Sequence, residues 1–400
     1  MNKKNWSFDE VINRFETQSA KWETFDKDVL PLWVADMDFK SPEPVINAII
    51  DRAKHGIFGY SDYHSDYYDA VLGWFKRRYK WELDKEWLSF TPGVIPAINV
   101  SLRAFTNPGD KIIVQNPVYY PFYGAIENSG RKILFNPLKL SNGRYIMDYE
   151  DLLKKIKDPR AKMLILCSPH NPIGRVWTRD ELIQLGEICN ENNINVLSDE
   201  IHCDLIYPGF KHTNFATINK NFAMNSITCT SLSKTFNLAG LQLSNIIIPN
   251  KKLRDRFRNT VESIFIPEEF GYLPNTLSLV AFTAAYRDCD DWLISLIQYL
   301  KENIEFLEEF LKNNIPQIKV IKPEGTYLLW LDFRMLDIPD KEMEKFLLEK
   351  AKVALYDGSK FGNGGEGFQR INIACPRSVL HEALKRINRA VEDLSGKKKI

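Results

Sequence analysis

The strongest constraint on the fold is a rhythm between about Ile112 and Ile248, where short β-branched runs alternate with helical patterns. Lys111-Ile112-Ile113-Val114 reads as a strand that stops at Asn116-Pro117, and Lys162-Met163-Leu164-Ile165-Leu166 as another that stops at Ser168-Pro169. Thr178 to Asn192 predicts a helix: Thr178 with Glu181 makes a capping box, and Leu182, Leu185 and Ile188 recur at helical spacing. Asn195-Val196-Leu197 is a buried strand ending at Asp199, and Ser226-Ile227-Thr228-Cys229-Thr230 is a further one ending at Ser231. This alternation builds an α/β unit with a mostly parallel sheet covered on both faces. Ligands of such sheets gather at the C-terminal strand ends, and there the chain places Asn171, Asp199 and Lys234.

Beyond that region, Asp291 to Asn313 predicts a long amphipathic helix through Leu293, Leu296, Ile297, Leu300, Ile304, Leu307 and Leu311. It leads into an α+β unit with strand-like Thr326–Leu331 and Arg370–Ile373. The glycine-rich Gly362–Gly367 precedes a strand instead of opening a helix, so it reads as a loop and not a phosphate cradle. The 400 residues, 44% of them hydrophobic, suffice for a sizeable core and a second, smaller unit. Three segments are expected: 1–45 packing on the small domain, a large domain over 46–285, and a small domain over 286–400 that includes the long helix. A net charge of +1 offers no basic field for nucleic acid or anionic lipid. The basic Lys397-Lys398-Lys399 reads as a solvated tail. No apolar run is long enough to span a bilayer, and the N-terminal residues contain no signal-peptide core. The six cysteines are scattered without a CxxC pair. The expectation is a cytoplasmic protein with no structural metal and no disulfide framework.

Chemistry concentrates at five places. In Thr230-Ser231-Leu232-Ser233-Lys234 a lysine follows two hydroxyl residues beyond a strand. Its amine suits imine formation with an aldehyde cofactor, and the hydroxyls suit a phosphate; in isolation, however, an ordinary surface lysine after a strand is the better reading. Asp199 in Ser198-Asp199-Glu200-Ile201-His202 can pair with a protonated pyridine nitrogen or cap a helix. Asn171 in Ser168-Pro169-His170-Asn171-Pro172 can donate an amide hydrogen bond or simply form a turn. The aromatic run Tyr119-Tyr120-Pro121-Phe122-Tyr123 can stack on a ring or pack in a core. Arg370 has the planar fork that grips a carboxylate, yet in isolation a strand-end arginine is expected at the surface.

Taken in this order over about residues 30–380, these motifs resemble those of the fold-type I aminotransferase superfamily, whose cofactor is pyridoxal 5′-phosphate (PLP). The resemblance implies that Lys234 carries PLP as a Schiff base, Asp199 binds the ring nitrogen, Asn171 the phenolic oxygen, and Tyr119 stacks on the ring. It implies a phosphate site from Ser231, Ser233 and the backbone amides of Gly93, Val94 and Ile95, where a turn enters a helix. Tyr60 matches the family tyrosine that reaches the phosphate of a neighbouring subunit, which implies a homodimer with shared active sites. Arg370 would hold the substrate carboxylate.

Two positions depart from the usual aminotransferase pattern. Gln242 stands where many members have a phosphate-binding arginine, and His202 stands where they often have a tyrosine. His202 either replaces that tyrosine at the phenolic oxygen or packs as a structural histidine. With Pro31–Phe39 (Pro-Leu-Trp-Val-Ala-Asp-Met-Asp-Phe), Ser198–Asp204 and Phe236–Gln242, the chain is similar to the MalY/PatB-type cystathionine β-lyases, or C–S lyases. That resemblance implies β-elimination from L-cystathionine or a related L-cysteine S-conjugate, giving pyruvate, ammonia and a thiol. Ala35, Tyr123, Asn171 and Arg370 would contact substrate, and Tyr119, Tyr123 and Tyr60 are the candidates to assist the leaving sulfur. The alternatives are a class I/II aminotransferase, or a protein of this fold that binds a regulatory partner.

Overall fold

The computed structural model describes residues 6–265 and 273–397, so the end of the basic cluster at 397–399 lies outside the described residues. Its centre is a seven-stranded sheet. In chain order the strands are β1 (Leu88–Thr91), β2 (Lys111–Val114), β3 (Lys132–Phe135), β4 (Ala161–Cys167), β5 (Asn195–Asp199), β6 (Ser226–Thr230) and β7 (Ser244–Ile247). Their spatial order is β1-β7-β6-β5-β4-β2-β3, with β7 antiparallel to both neighbours and the remaining pairs parallel. The parallel strands of the interior read as continuous apolar runs because both faces are covered; Leu164, Leu166, Leu197 and Ile227 have no exposed surface. The chain steps outward in opposite directions from β2 and β4, and the segments leaving those strands carry Tyr119 and Asn171. That is the switch point at which α/β sheets open a crevice.

The helix foreseen over 178–192 spans Arg179–Glu191, with both halves of the Thr178–Glu181 capping box formed. The long helix runs Asp290–Asn314 and buries the predicted leucine stripe. It precedes a four-stranded antiparallel sheet, β8 (Lys319–Ile321), β9 (Leu328–Asp332), β10 (Tyr356–Asp357) and β11 (Phe368–Asn372), ordered β8-β9-β11-β10. Here the structure differs from the expectation of a strand over Thr326–Leu331. Thr326 adopts a left-handed backbone with φ 67°, so β9 begins two residues later and Tyr327 sits on the corner before it. Among the described residues, no helix is long and apolar enough to cross a membrane, and no His/Cys/Asp/Glu group could hold a metal ion. All six cysteines are buried and free.

The segment ahead of the large sheet is threaded between the two sheets. Leu30–Pro31 pairs with Val353–Ala354, Asn372 donates to the carbonyls of Val34 at 2.7 Å and Asp36 at 2.5 Å, and Asn237 brackets Met37 from both sides of its peptide. An ion cluster locks the turn. Asp38 accepts from Lys21 at 2.7 Å, Arg14 at 2.7 Å and Trp22 at 2.9 Å, and the Lys21 side chain has no exposed surface. Burial alone would raise the Asp38 carboxyl, but the charge of Lys21 and the hydrogen bonds from Lys21, Trp22 and Arg14 outweigh it and hold it below the ordinary value. Asp38→Ala leaves the buried Lys21 ammonium with only Asp36, 3.5 Å away, and should cost about 3 kcal/mol in guanidinium unfolding; a loss under about 0.5 kcal/mol would class the cluster with ordinary surface pairs. Because the folded value is depressed, this contribution is complete above the unfolded carboxylate range near pH ~4 and is lost as pH falls through the folded value.

Candidate active site

Asp199 ends β5, Asn171 follows β4 on one side, and Lys234 follows β6 on the other. These three strand ends, with Tyr119 beyond β2, open onto one cavity of about 200 Å³. Ala35, Gly93, Val94, Ile95, His202 and Ser233 line it too. A larger groove of about 640 Å³ lies against Met335–Pro339 and the C-terminal helix, but its ionisable residues, such as Glu342 and Lys345, are exposed. The chemistry sits in the smaller cavity.

Within it, each group is held in a state that suits a task. Lys234 donates from Nζ to the Ala35 carbonyl at 2.7 Å. Burial, then the nearby Arg370 charge, pushes its amine down to about 8, against the pull of Asp36 and Asp199. Burial pushes the Asp199 carboxyl up to about 7, although the Ile201 backbone N–H and Lys234 oppose the shift. A carboxylate so placed is short of a cation. Burial, with Lys234 and Arg370 nearby, drives the His202 imidazole far below its usual value, so it is neutral near pH 7. Its Nδ1 is buried and has no hydrogen-bond partner.

Arg370 is buried, contrary to the surface position expected for it in isolation. It stands mid-sheet between Trp330 and Tyr356, and its guanidinium lies 4.9 Å from the Tyr356 ring and 5.1 Å from that of Phe361. Nη1 donates to Asn171 Oδ1 at 3.0 Å and Nη2 to the Trp33 carbonyl at 2.7 Å, while Nε is buried and unpartnered. Burial lowers it to about 10, so it stays cationic at neutral pH.

At the other end of the cavity, Gly93 caps the helix Val94–Phe105. Pro96 has no N–H, so Val94 and Ile95 present the free amides of the first turn. Dipole and amides together suit a dianion. Ser233 lines this end, whereas Ser231 lies beneath it: its hydroxyl donates to the Leu243 carbonyl at 2.6 Å and accepts from the Ser233 amide at 3.1 Å.

Two further expected residues lie away from this cavity within one chain. Tyr123 points away, because its helix (Pro121–Asn128) turns the phenol under the glycine-rich loop, where it donates to the Phe361 carbonyl at 2.6 Å. Tyr60 is 95% exposed and lies beside Asn275 and Thr276 instead. The glycine-rich segment is a loop as read, tied down by Asn116 donating to the Asn363 carbonyl at 2.8 Å. Tyr327 and Trp33, by contrast, touch the site through the Ala35 carbonyl and Arg370. Residue spacing carries no signal for Tyr327.

The donor set fits PLP on chemical grounds: an amine for the aldehyde, a cation-seeking carboxylate for the ring nitrogen, amides for the phosphate, and a tyrosine ring for stacking. Comparisons agree. Residues 27–387 match the family model for aminotransferase class I and II. The chain is 44% identical over 390 residues to cystathionine beta-lyase PatB of Bacillus subtilis, covering 96% of this chain and 100% of the relative. Cystalysin from Treponema denticola, whose crystal structure contains PLP, superposes with a TM-score of 0.94 at 40% identity, over 98% of this chain and 100% of that one. The PLP-bound C–S lyase from Staphylococcus hominis gives 0.91 at 37% identity, over 97% and 98%. The chain therefore belongs to the class I and II aminotransferase family and, within it, to the PLP-dependent cystathionine β-lyases.

Proposed function

We propose that this protein is a PLP-dependent C–S lyase that cleaves L-cystathionine or a related L-cysteine S-conjugate by β-elimination. The observation that carries this reading is one cavity joining a buried lysine and a cation-seeking aspartate, with an arginine fork bonded to its wall at Asn171. It does so in a chain with 44% identity to a cystathionine β-lyase. Bound PLP supplies an electron-accepting pyridine ring and an aldehyde carbon. Arg370 holds the substrate α-carboxylate, and Asn171, already bonded to Arg370, orients carboxylate and cofactor together. Asp199 would hold a proton on the ring nitrogen, Tyr119 would stack on the ring, and His202, a neutral imidazole, would line the site beside it. Val94, Ile95, Gly93 and Ser233 take the phosphate, and Ser231 holds Ser233 in place. Lys234, once its amine is free, would take the Cα proton; a thiolate would leave Cβ with its bonding pair, and water would convert the released 2-aminoacrylate to pyruvate and ammonia. Tyr119 is the phenol placed to assist the leaving sulfur, since the Tyr123 hydroxyl is engaged elsewhere.

We assign residues 46–285 to a large domain, 286–400 to a small one, and 1–45 to a segment that packs on the latter. Tyr60, exposed within one chain, supports a homodimer in which each subunit completes its partner's phosphate site. Near-neutral charge and reduced cysteines support a cytoplasmic location.

Incubation of the holoenzyme with L-cystathionine tests the reading. Pyruvate and ammonia should form without any keto acid. Strict dependence on a keto acid would instead assign an aminotransferase.

A further inference from the structure

Tyr327 lies outside every catalytic motif, yet it shares an acceptor with the lysine. Its hydroxyl donates to the Ala35 carbonyl at 2.9 Å, and the same oxygen accepts Lys234 Nζ at 2.7 Å. A carbonyl oxygen has two lone pairs, so both donors are satisfied together. The Tyr327 ring has no exposed surface and packs edge-on against His202, with centroids 6.1 Å apart.

The backbone around it is pinned. Thr326 sits at φ 67°, its amide donates to the Leu205 carbonyl at 2.7 Å, and its hydroxyl accepts from the Leu328 amide at 3.1 Å. Ala35 is pinned too, through Asn372 on Val34 and Asp36 and through Asn237 on Met37. The phenol therefore joins two rigid pieces of chain at the one oxygen that holds the lysine amine.

We infer that Tyr327 is a positioning residue for Lys234: by fixing the Ala35 carbonyl, it sets where the amine stands whenever that amine is not bonded to the cofactor. The inference rests on the lyase reading, in which the freed amine must meet the substrate Cα. A lysine side chain has a flexible four-carbon stem, and a misplacement of about 1 Å at a reacting atom costs on the order of a hundredfold. An acceptor held from two sides restricts that stem. A buried phenol also needs some partner merely to be satisfied, so the two roles must be separated by measurement.

The test compares the wild-type holoenzyme with Tyr327→Phe, using L-cystathionine and its Cα-deuterated form. PLP content and KM should stay within about twofold, while kcat falls about tenfold and its deuterium isotope effect rises. A rising isotope effect means that proton transfer at Cα has become the slower step, which loss of packing alone does not produce. An unchanged kcat overturns the inference. So does a loss of activity that tracks lost PLP with the isotope effect unaltered. If the Phe variant does not fold, Asn237→Gly loosens the same strap at a position whose φ of 60° glycine accepts, and the same signature is expected. Should the wild type form no pyruvate, the lyase reading fails by itself. Exchange of the Cα proton of L-alanine in D2O, followed by NMR, then still reports whether Tyr327→Phe slows Lys234.

Discussion

Lys234→Ala is expected to lower pyruvate formation from L-cystathionine by at least about a thousandfold, because one side chain serves as both covalent anchor and base. An ordinary lysine titrates near 10.4, leaving only about one amine in several thousand unprotonated at pH 7. Lys234 is pushed down to about 8 by burial and by Arg370, which brings the free-base fraction at the same pH to roughly a tenth. The Ala35 carbonyl then gives the ammonium form a defined place to rest. Two measurements check this account. The absorbance band of the lysine-bound cofactor should vanish in the Ala variant. In cofactor-free wild type, the rate of PLP attachment should climb through pH about 8 instead of two units higher. Lys234→Arg keeps the charge but offers no amine that titrates in this range, so it should be as inactive as the Ala variant. Turnover within about tenfold of wild type in either variant would remove Lys234 from the reaction.

Much of this site was legible because parallel sheets deliver their loop residues to one edge. The β-branched runs located β2, β4, β5 and β6, and Asn171, Asp199 and Lys234 followed from where those runs stop. Two strands at one end of the sheet were not read. Leu88–Thr91 and Ser244–Ile247 are short, and their neighbours are antiparallel, so they break the alternating rhythm. Arg370 shows what a strand pattern omits: alone it is a polar residue at a strand end, and only its place between Trp330 and Tyr356 buries it.

Tyr123 shows the limit of an aromatic run. A single helical turn after Pro121 sends neighbouring phenols to different walls. The contact between Lys234 and Ala35 spans 199 residues, and no local periodicity encodes such a meeting. Tyr327 was absorbed into a strand because nothing in Gly325-Thr326-Tyr327 announces the left-handed backbone at Thr326. Threonine is β-branched, and its strand propensity argues the other way.

Asp199→Asn should separate the ring-holding role from simple architecture. The amide keeps the shape of the carboxylate and can still cap the Ile201 amide, but it cannot hold a proton on the pyridine nitrogen by charge. A unit charge pair about 4 Å apart is worth about 4 kcal/mol at an effective dielectric near 20, which corresponds to a loss in kcat of about a thousandfold. Covalent PLP binding should survive, since Lys234 is untouched, and Asp199→Glu should recover part of the rate. The cofactor-free protein should respond in the opposite sense. Burial raises the Asp199 carboxyl to about 7, far above its unfolded value near ~3.9, so its ionised form opposes folding. That cost is fully present above pH about 7 and disappears as pH falls toward the unfolded value. Without PLP, the Asn variant should therefore melt above wild type at pH 8 and converge with it near pH ~4; with PLP bound, the order should reverse, because the pyridinium charge now compensates the carboxylate. An Asn variant that keeps full kcat, or that is less stable than wild type without cofactor, would mean that Asp199 is there to cap a turn and not to hold a ring.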